Sequence, residues 1–220
     1  MTEKKSLFRG RHLARPLSSE QSERIKRMMP EISIPLEKCS EIIDEYKKNN
    51  EEIHLEIGFG AGEHLIERAK NSPNIIHIGV EPFLNGVAKI LKSIEEENLE
   101  NIKIFTNDAR LLIDKIPKES ISRSYILFAD PWPKSKHHKR RIINNEVLKN
   151  IGNITKKNAE LFIATDHKGY QQWISDLLQE NDIFKVRNKY ISHPSHWPYT
   201  RYEIKALDGE DIIYWELYKN

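Results

Sequence analysis

The sequence contains one cysteine and no long hydrophobic run. A single thiol, Cys39, excludes an internal disulfide and any metal cage built from cysteines. No apolar run approaches the ~20 residues that a membrane-spanning helix needs. The first residues are basic but lack the apolar core of a secretory signal. We therefore expect a cytoplasmic protein without a membrane segment.

A histidine pattern typical of metal sites is also missing. His64, His77 and His167 are scattered along the chain and do not fall at the spacing of metal ligands. We predict no metal site.

The net charge is small, +2 over 220 residues, but it is unevenly distributed. Residues 1–28 hold eight Lys and Arg against three acidic residues, so this segment carries +5 and the rest of the chain −3. A basic segment on a nearly neutral body suits a nucleic-acid partner. The alternative is a tail whose charge only keeps the protein in solution.

The same region shows little periodicity. We predict a flexible basic arm over residues 1–35, with a short helix capped by Ser18 or Ser19 and running to about Met29. One domain is predicted over residues 36–220, a length that one hydrophobic core can serve.

From residue 52 onward, short apolar runs alternate with segments of helical periodicity. Strands are predicted at 53–57, 75–80, 102–105, 125–128, 160–165, 185–191 and 212–218. Helices are predicted at 63–70, 84–97, 110–116, 144–154 and 170–179, after an earlier one at 36–48. This alternation predicts an α/β fold: a Rossmann-like, mostly parallel sheet with helices on both faces.

Acidic residues recur where the predicted strands end. Glu81, Asp108, Asp130 and Asp166 each lie at or just past the end of a strand, and Glu56 lies within the first strand. The carboxyl ends of parallel strands meet at one edge of the sheet, where ligands bind. Any one of these acids alone would more often be a turn residue or a helix cap. Four acidic residues at the ends of four consecutive predicted strands indicate a ligand site.

A glycine turn follows the first strand. Gly58, Gly60 and Gly62 do not have the G-x-G-x-x-G spacing of dinucleotide enzymes, but they allow a ligand to approach the backbone closely. Glu81 is suited to accept hydrogen bonds from two ribose hydroxyls. Because NAD and S-adenosylmethionine both contain such a ribose, this acid does not distinguish between the two cofactors. The charge of Glu56 would repel a pyrophosphate and attract an ammonium and a sulfonium, which favours S-adenosylmethionine. Asp108 could accept from an adenine amino group.

A strand, a stiff turn and a basic cluster follow one another at residues 125–141. The apolar strand stops at Asp130, and two prolines around Trp132 prevent the strand from continuing. Five cations then fall between Lys134 and Arg141, with no acid among them. The segment is typical of a place where a polyanion is brought to chemistry; the alternative is a solvated basic loop.

Together these segments resemble the bacterial tRNA (guanine-N7-)-methyltransferases. The resemblance covers about residues 52–220 and rests on Glu56–Gly62, Glu81-Pro82, Asn107-Asp108-Ala109, Asp130–Lys134, Lys139–Arg141, Thr165-Asp166 and Thr200–Glu203. The Asp-Pro-Trp-Pro-Lys block is highly specific, whereas the glycine turn is common to many methyltransferases. The resemblance implies a seven-stranded class I methyltransferase fold. It also implies methyl transfer from S-adenosylmethionine to the guanine at position 46 in the tRNA variable loop.

The resemblance also implies residue roles. The cofactor would be bound by Glu56, Gly58, Gly60, Gly62, Glu81, Asp108 and Asp130, and Asp130 would be the catalytic residue. The substrate would be bound by Lys134, Asp166, Thr200, Arg201, Tyr202 and Glu203. The RNA would be contacted by Lys136, His137, His138, Lys139, Arg140 and Arg141.

The chemistry of guanine refines two of these roles. N7 carries a lone pair and no proton, so no general base is required, and we expect Asp130 to position the reactants and stabilise developing positive charge. Asp166 and Glu203 are suitable acceptors for N1–H and the 2-amino group, which distinguish guanine from adenine. Trp132 either stacks on an extruded base or packs against the loop.

Two other functions compete with this one. A methyltransferase acting on another RNA or on a small molecule is disfavoured by Trp132, because enzymes that methylate amino groups usually have a second proline there. An RNA-binding module with an inactive cofactor fold is disfavoured because Glu56, Glu81, Asp108 and Asp130 are all present. The sequence leaves open whether the protein is a monomer or a homodimer.

Overall fold

The computed structural model of the protein describes residue 10 and residues 12–195, 197–198, 203 and 211–220. The chain divides into two compact units, Met1–Pro117 (unit 1) and Lys118–Asn220 (unit 2).

Unit 1 contains three parallel strands and the helices that accompany them. In chain order its elements are α1 (Ser19–Ile32), a 3₁₀ turn (Leu36–Lys38), α2 (Cys39–Lys48), β1 (Glu52–Ile57), α3 (Glu63–Asn71), β2 (Ile75–Val80), α4 (Leu84–Glu96), β3 (Ile102–Phe105) and α5 (Ala109–Ile113). Strand β2 lies between β1 and β3 and is parallel to both. Most side chains of β1 and β2 are buried, as is typical of parallel strands covered on both faces.

The core of unit 1 is made by apolar side chains that recur at helical spacing. In α4, Val87, Ile90, Leu91 and Ile94 are all buried. They pack in one cluster with Phe59, Leu65, Ala69, Ile102 and Ile104. This packing fixes α3 and α4 against the strands, so the ends of β1 and β2 have a defined position.

The N-terminal helix packs on unit 1. Ser18 caps α1 in a capping box with Gln21, which confirms the predicted helix start. Its apolar side chains join the core cluster; they are Ile25, Met28, Met29 and Ile32. After the helix, the Ile34 amide donates to the Ile104 carbonyl at 3.0 Å. The limits of the arm at 1–35 stay a prediction, but its second half is helical and contacts α4 and β3.

Unit 2 contains the other four strands. Its elements are β4 (Ile121–Leu127), a 3₁₀ helix (Ser135–Arg140), α6 (Asn145–Ile154), β5 (Thr155–Thr165), α7 (Lys168–Gln179), β6 (Phe184–Tyr190) and β7 (Ile213–Lys219). Strands β4 and β5 are parallel, whereas β7 is antiparallel to both β5 and β6. The buried cluster on one side of these strands is aromatic, with Tyr125, Phe162, Trp197 and Tyr214 among its members.

The strands form a seven-stranded sheet in the order β3-β2-β1-β4-β5-β7-β6. This order and the accompanying helices confirm the predicted fold class, a Rossmann-like, mostly parallel sheet. None of the helices in the described part of the chain is long and apolar enough to cross a membrane.

Two strands begin earlier than predicted. Strand β4 starts at Ile121 and β5 at Thr155, and these two residues pair with each other. The ladder shifts register between Ile121 and Arg123, and Asn158 has a φ of 60°. Polar residues at 156–158 and this irregularity interrupt the apolar alternation, which is why the sequence pattern did not reveal the first half of β5.

Candidate active site

The glycine turn joins β1 to α3 in unit 1, and all three of its glycines have positive φ. The φ values are +79° at Gly58, +59° at Gly60 and +89° at Gly62, a backbone region that residues with a side chain rarely adopt. The turn is closed by bonds from the Gly58 amide to Val80 O (2.8 Å) and from the Gly62 amide to Phe59 O (2.9 Å). A Cβ on Gly58 would meet no atom within 4 Å. The backbone at Gly58 is therefore accessible to a ligand.

Glu81 connects the end of β2 to this turn. Its Oε2 accepts from the Gly60 amide at 2.9 Å, and its Oε1 accepts from the Phe83 amide at 2.9 Å. The first turn of α4 is also close, because a Cβ on Gly86 would lie 2.1 Å from the Gly60 carbonyl oxygen. Glu81 thus has a fixed orientation, with both carboxylate oxygens held by backbone amides.

Glu56 makes a buried contact that the sequence did not indicate. Its Oε2 lies 2.6 Å from Nδ1 of His64, the second residue of α3, and both residues are less than 5% exposed. The acid beside the glycine turn therefore has a specific partner. No sequence spacing could have identified the pair, because an irregular turn separates the two residues.

Asp108 lies at the start of α5 and is buried. Its Oδ1 accepts from the Arg110 amide at 3.0 Å, so it caps the helix. The Arg110 guanidinium also contacts the carboxylate, at 3.1 and 3.2 Å. A hydrogen bond from the Asp108 amide to Asn107 Oδ1, 2.7 Å long, fixes the preceding turn. Asp108 therefore caps α5 and also follows the end of β3, where the sequence predicted an acid of the ligand site.

In unit 2, Asp130 lies on a loop with an uncommon backbone. Phe128 (φ 52°) and Trp132 (φ 43°) both adopt left-handed conformations that non-glycine residues rarely take. The Phe128 amide still bonds to Ala164 O of β5 at 2.8 Å. The Asp130 side chain remains accessible to solvent, yet desolvation by the surrounding protein raises the pKa of its carboxyl above the usual value.

The basic cluster forms the 3₁₀ helix after this loop. Lys134, Lys136 and Lys139 are exposed, as an anion-binding surface requires. The Arg140 guanidinium lies over the Trp132 ring at 4.9 Å from its centroid, and the His137 ring is perpendicular to the Trp132 ring, with the two centroids 5.9 Å apart. Desolvation, followed by the neighbouring cations, lowers the pKa of His137. Trp132 thus packs within the loop, and Arg140 lies over its ring.

Arg141 differs from the rest of the cluster because only 2% of it is exposed. Its Nε donates to the Pro131 carbonyl at 2.8 Å, and its guanidinium lies over two aromatic rings of α7. Desolvation lowers its pKa. Arg141 was predicted to contact RNA, but this burial indicates a different role for its side chain.

The two acids predicted to read the guanine edge have distinct surroundings. Asp166 is half-buried directly after β5, and the cap of α7 is His167, whose Nδ1 accepts from the Tyr170 amide at 3.2 Å. Glu203 is 2% exposed, and its Oε1 accepts from Tyr214 Oη and lies 2.7 Å from His193 Nδ1. The predicted contacts Thr200, Arg201 and Tyr202 lie outside the described residues.

No group of three or more His, Cys, Asp and Glu in the described ranges is arranged to hold a metal ion.

The fold is similar to those of solved methyltransferase structures. A 16S rRNA methyltransferase, KamB, superposes with a TM-score of 0.58 and 14% identity, covering 80% of this chain and 92% of that one. An rRNA methylase from Streptococcus thermophilus gives a TM-score of 0.54 at 13% identity, covering 77% and 87%. The seven-stranded sheet is thus that of the class I methyltransferases.

Sequence relatives define the family within this class. Residues 50–215 match a family model described as "Putative methyltransferase". A tRNA (guanine-N(7)-)-methyltransferase from Wolbachia pipientis wMel is 40% identical over 193 residues, covering 85% of this chain and 86% of the relative. One from Erythrobacter litoralis is 38% identical over 213 residues, covering 93% and 91%. The chain belongs to the tRNA (guanine-N7-)-methyltransferase family, as its motifs predicted.

Proposed function

We propose that the protein transfers a methyl group from S-adenosylmethionine to N7 of the guanine at position 46 in the tRNA variable loop. The observation that carries the proposal is the relation to enzymes named tRNA (guanine-N(7)-)-methyltransferase, at 40% and 38% identity over most of the chain. A tRNA substrate agrees with the basic cluster and with the predicted cytoplasmic location. Both the location and the state as monomer or homodimer stay predictions.

The residues of unit 1 fit the chemical groups of S-adenosylmethionine. The backbone at Gly58 is open to a ligand, and glycine at Gly60 and Gly62 keeps the turn free of side chains. A carboxylate oxygen can accept more than one hydrogen bond, so Glu81 could receive ribose hydroxyls while it holds the turn. Glu56 and Asp108 are proposed for the ammonium end and the adenine amino group. When bound, the cofactor would supply the electrophilic methyl group on its sulfonium.

Asp130 is proposed to contact the cofactor and to act during the transfer by positioning and by charge. Guanine N7 needs no base, since its lone pair carries no proton. A positive charge develops on the guanine ring, and a carboxylate facing it stabilises the transition state. The desolvation that raises the Asp130 pKa also strengthens this attraction, because both effects grow as water is excluded.

Asp166 and Glu203 are proposed to accept from guanine N1–H and from the 2-amino group. The bond from Tyr214 and the contact with His193 both use Oε1 and hold the Glu203 carboxylate in one orientation. Adenine lacks donors at that edge, so it would leave buried acceptors unpaired. Lys134, Thr200, Arg201 and Tyr202 are proposed as further substrate contacts.

The tRNA backbone is proposed to contact the exposed face of the basic cluster and the basic arm of residues 1–35. The residues of the cluster concerned are Lys136, His137, His138, Lys139 and Arg140. Exposed cations bind phosphates with an affinity that falls as salt rises.

The test is methylation of unmodified tRNA with labelled S-adenosylmethionine, followed by mapping of the methylated atom. The expected product is 7-methylguanine at position 46. A tRNA with adenine at that position is the matched control and should remain unlabelled. Label at another atom or position would refute the assignment. If S-adenosylhomocysteine did not raise the thermal stability of the protein, a cofactor-free RNA-binding module would be favoured instead.

A further inference from the structure

The basic cluster contains one cation whose environment is unlike that of the others. Lys134, Lys136 and Lys139 are exposed, whereas Arg141 is almost completely buried. A guanidinium that contacts phosphate has to present its N–H groups to solvent or to the RNA. The burial of Arg141 calls for a role inside the protein.

The contacts of Arg141 hold the loop that precedes it. Its Nε donates to the Pro131 carbonyl at 2.8 Å, one peptide unit beyond Asp130. Its guanidinium lies 5.0 Å from the ring centroid of Tyr170 and 4.9 Å from that of Trp173. Arginine over aromatic faces gains both electrostatic attraction and close packing. These contacts fasten the Pro131 backbone to α7.

The same two rings also hold the far end of the loop. Trp173 Nε1 donates to the Ile143 carbonyl at 2.9 Å, and the Ile143 amide donates to Tyr170 Oη at 3.2 Å. The His138 ring packs against the Trp173 ring at an angle of 62°, with the two centroids 5.6 Å apart. Helix α7 therefore contacts the loop directly in its middle and at its end, and it reaches the start of the loop through Arg141.

The backbone of this loop needs such support. Phe128 and Trp132, which flank Asp130 in sequence, both have positive φ, and a non-glycine residue keeps that conformation only where its surroundings impose it. On the basis of the function proposed above, we propose that Arg141 is a positioning residue. Its bond to the Pro131 carbonyl fixes the position of the neighbouring residue Asp130. It does not contact the RNA.

The experiment compares Arg141→Lys and Arg141→Met with an exposed cation of the same cluster, Lys139→Met. The methylation rate in a single turnover at saturating tRNA and the tRNA dissociation constant at several salt concentrations are measured for each. Both Arg141 variants should lose about 10–100-fold in rate, the typical effect of misplacing a reacting group by about 1 Å. Their tRNA affinity and its salt dependence should match the wild type.

Lysine is the decisive substitution. Lysine keeps the positive charge, so it would preserve a phosphate contact. It cannot reproduce both the hydrogen bond from Arg141 Nε to Pro131 and the planar guanidinium over the two rings. Arg141→Lys should therefore be almost as slow as Arg141→Met. In contrast, Lys139→Met should reduce the salt slope by about 0.7–0.9, the value for one phosphate contact. The proposal would be overturned if Arg141→Lys kept the wild-type methylation rate, or if the Arg141 variants lowered the salt slope of tRNA binding.

Two further variants separate positioning from general loss of structure. Arg187→Met on β6 removes another guanidinium that lies over a ring, that of Tyr218 at 5.4 Å, and should leave the rate unchanged. Trp173→Phe keeps a ring beneath Arg141 but deletes the bond to Ile143; it should slow the reaction in the same direction without weakening tRNA binding. A wild-type rate in Trp173→Phe would count against the support by α7 even if the Arg141 variants failed to fold.

Amide hydrogen exchange provides a measurement that does not depend on methylation. Exchange across residues 128–140 should be faster in Arg141→Met and unchanged in Arg187→Met, with β5 protected in both. Unchanged exchange in that loop would overturn the proposal. A wild-type protein that failed to methylate tRNA would instead refute the proposed function and leave this comparison valid.

Discussion

Two glycines of the turn after β1 offer a clean comparison between access for a ligand and packing of the core. Gly58 and Gly62 both have positive φ, +79° and +89°. A Cβ on Gly58 would meet no atom within 4 Å, whereas one on Gly62 would lie 2.5 Å from Cδ1 and Cγ1 and 2.8 Å from Cβ of Ile90. Alanine at either position therefore adds the same methyl group and the same backbone strain to different surroundings.

The expected losses of stability follow from these contacts. A left-handed conformation costs an alanine about 1–2 kcal/mol, and the smaller entropy of its unfolded chain returns about 0.4–1 kcal/mol. Gly58→Ala should therefore lower the free energy of unfolding by about 0–1.6 kcal/mol. In Gly62→Ala the clash reaches the Ile90 Cβ, which cannot turn away, and overpacking adds about 1–3 kcal/mol.

Urea denaturation and calorimetric titration with S-adenosylhomocysteine measure the two effects. Gly58→Ala should keep most of its stability and lose at least about tenfold in affinity, because its methyl group occupies the place where the cofactor would approach the backbone. Gly62→Ala should mainly lose stability. If Gly58→Ala bound S-adenosylhomocysteine as tightly as the wild type, Gly58 would not be part of the cofactor site.

Three further results are expected. Asp130→Asn should abolish most of the single-turnover rate. Because desolvation by the surrounding protein raises the pKa of Asp130, ionisation of this carboxyl disfavours folding above that pKa, so the variant should melt at an equal or higher temperature at pH 7. That difference should vanish below the ordinary pKa of 3.8, and a variant melting clearly lower at pH 7 would contradict the reasoning. Glu203→Gln and Asp166→Asn should each lower kcat/KM on tRNA and narrow the preference for guanine over adenine; unchanged kcat/KM would remove both from the substrate site. His64→Leu should cost about 1–3 kcal/mol in urea denaturation, since it leaves the buried Glu56 carboxylate without this partner. A neutral result would show that the pair contributes little to stability.

The strands and their acidic ends could be predicted because apolar runs identify buried parallel strands directly. Glu81 and Asp108 follow β2 and β3 as expected, and the fold class followed from the alternation of elements. Prediction was poorest where polarity hides a strand, as in the first half of β5. There the residues Lys156, Lys157 and Asn158 belong to a ladder but do not alternate with apolar ones.

Side-chain environments could not be read from the sequence. Arg140 and Arg141 are identical neighbours in a basic run, yet one lies over Trp132 at the surface and the other is buried against α7. The difference arises from the turn of a 3₁₀ helix on a strained loop, which no charge pattern encodes. The pairing of His64 with Glu56 is equally invisible, because it depends on how the glycine turn folds back.

The pairing of Ile34 with β3 has a practical consequence for the two edge strands of the sheet. Strand β3 is the last on one side, and Ser33 forms a parallel bridge to Ile104 there. The last strand on the other side, β6, carries Lys185, Arg187 and Lys189. Exposed strand borders invite aggregation, and charged side chains or a covering segment prevent it. A chain shortened at residue 35 would uncover β3 and become prone to self-association, so a shortened version should retain Ser18 and everything after it.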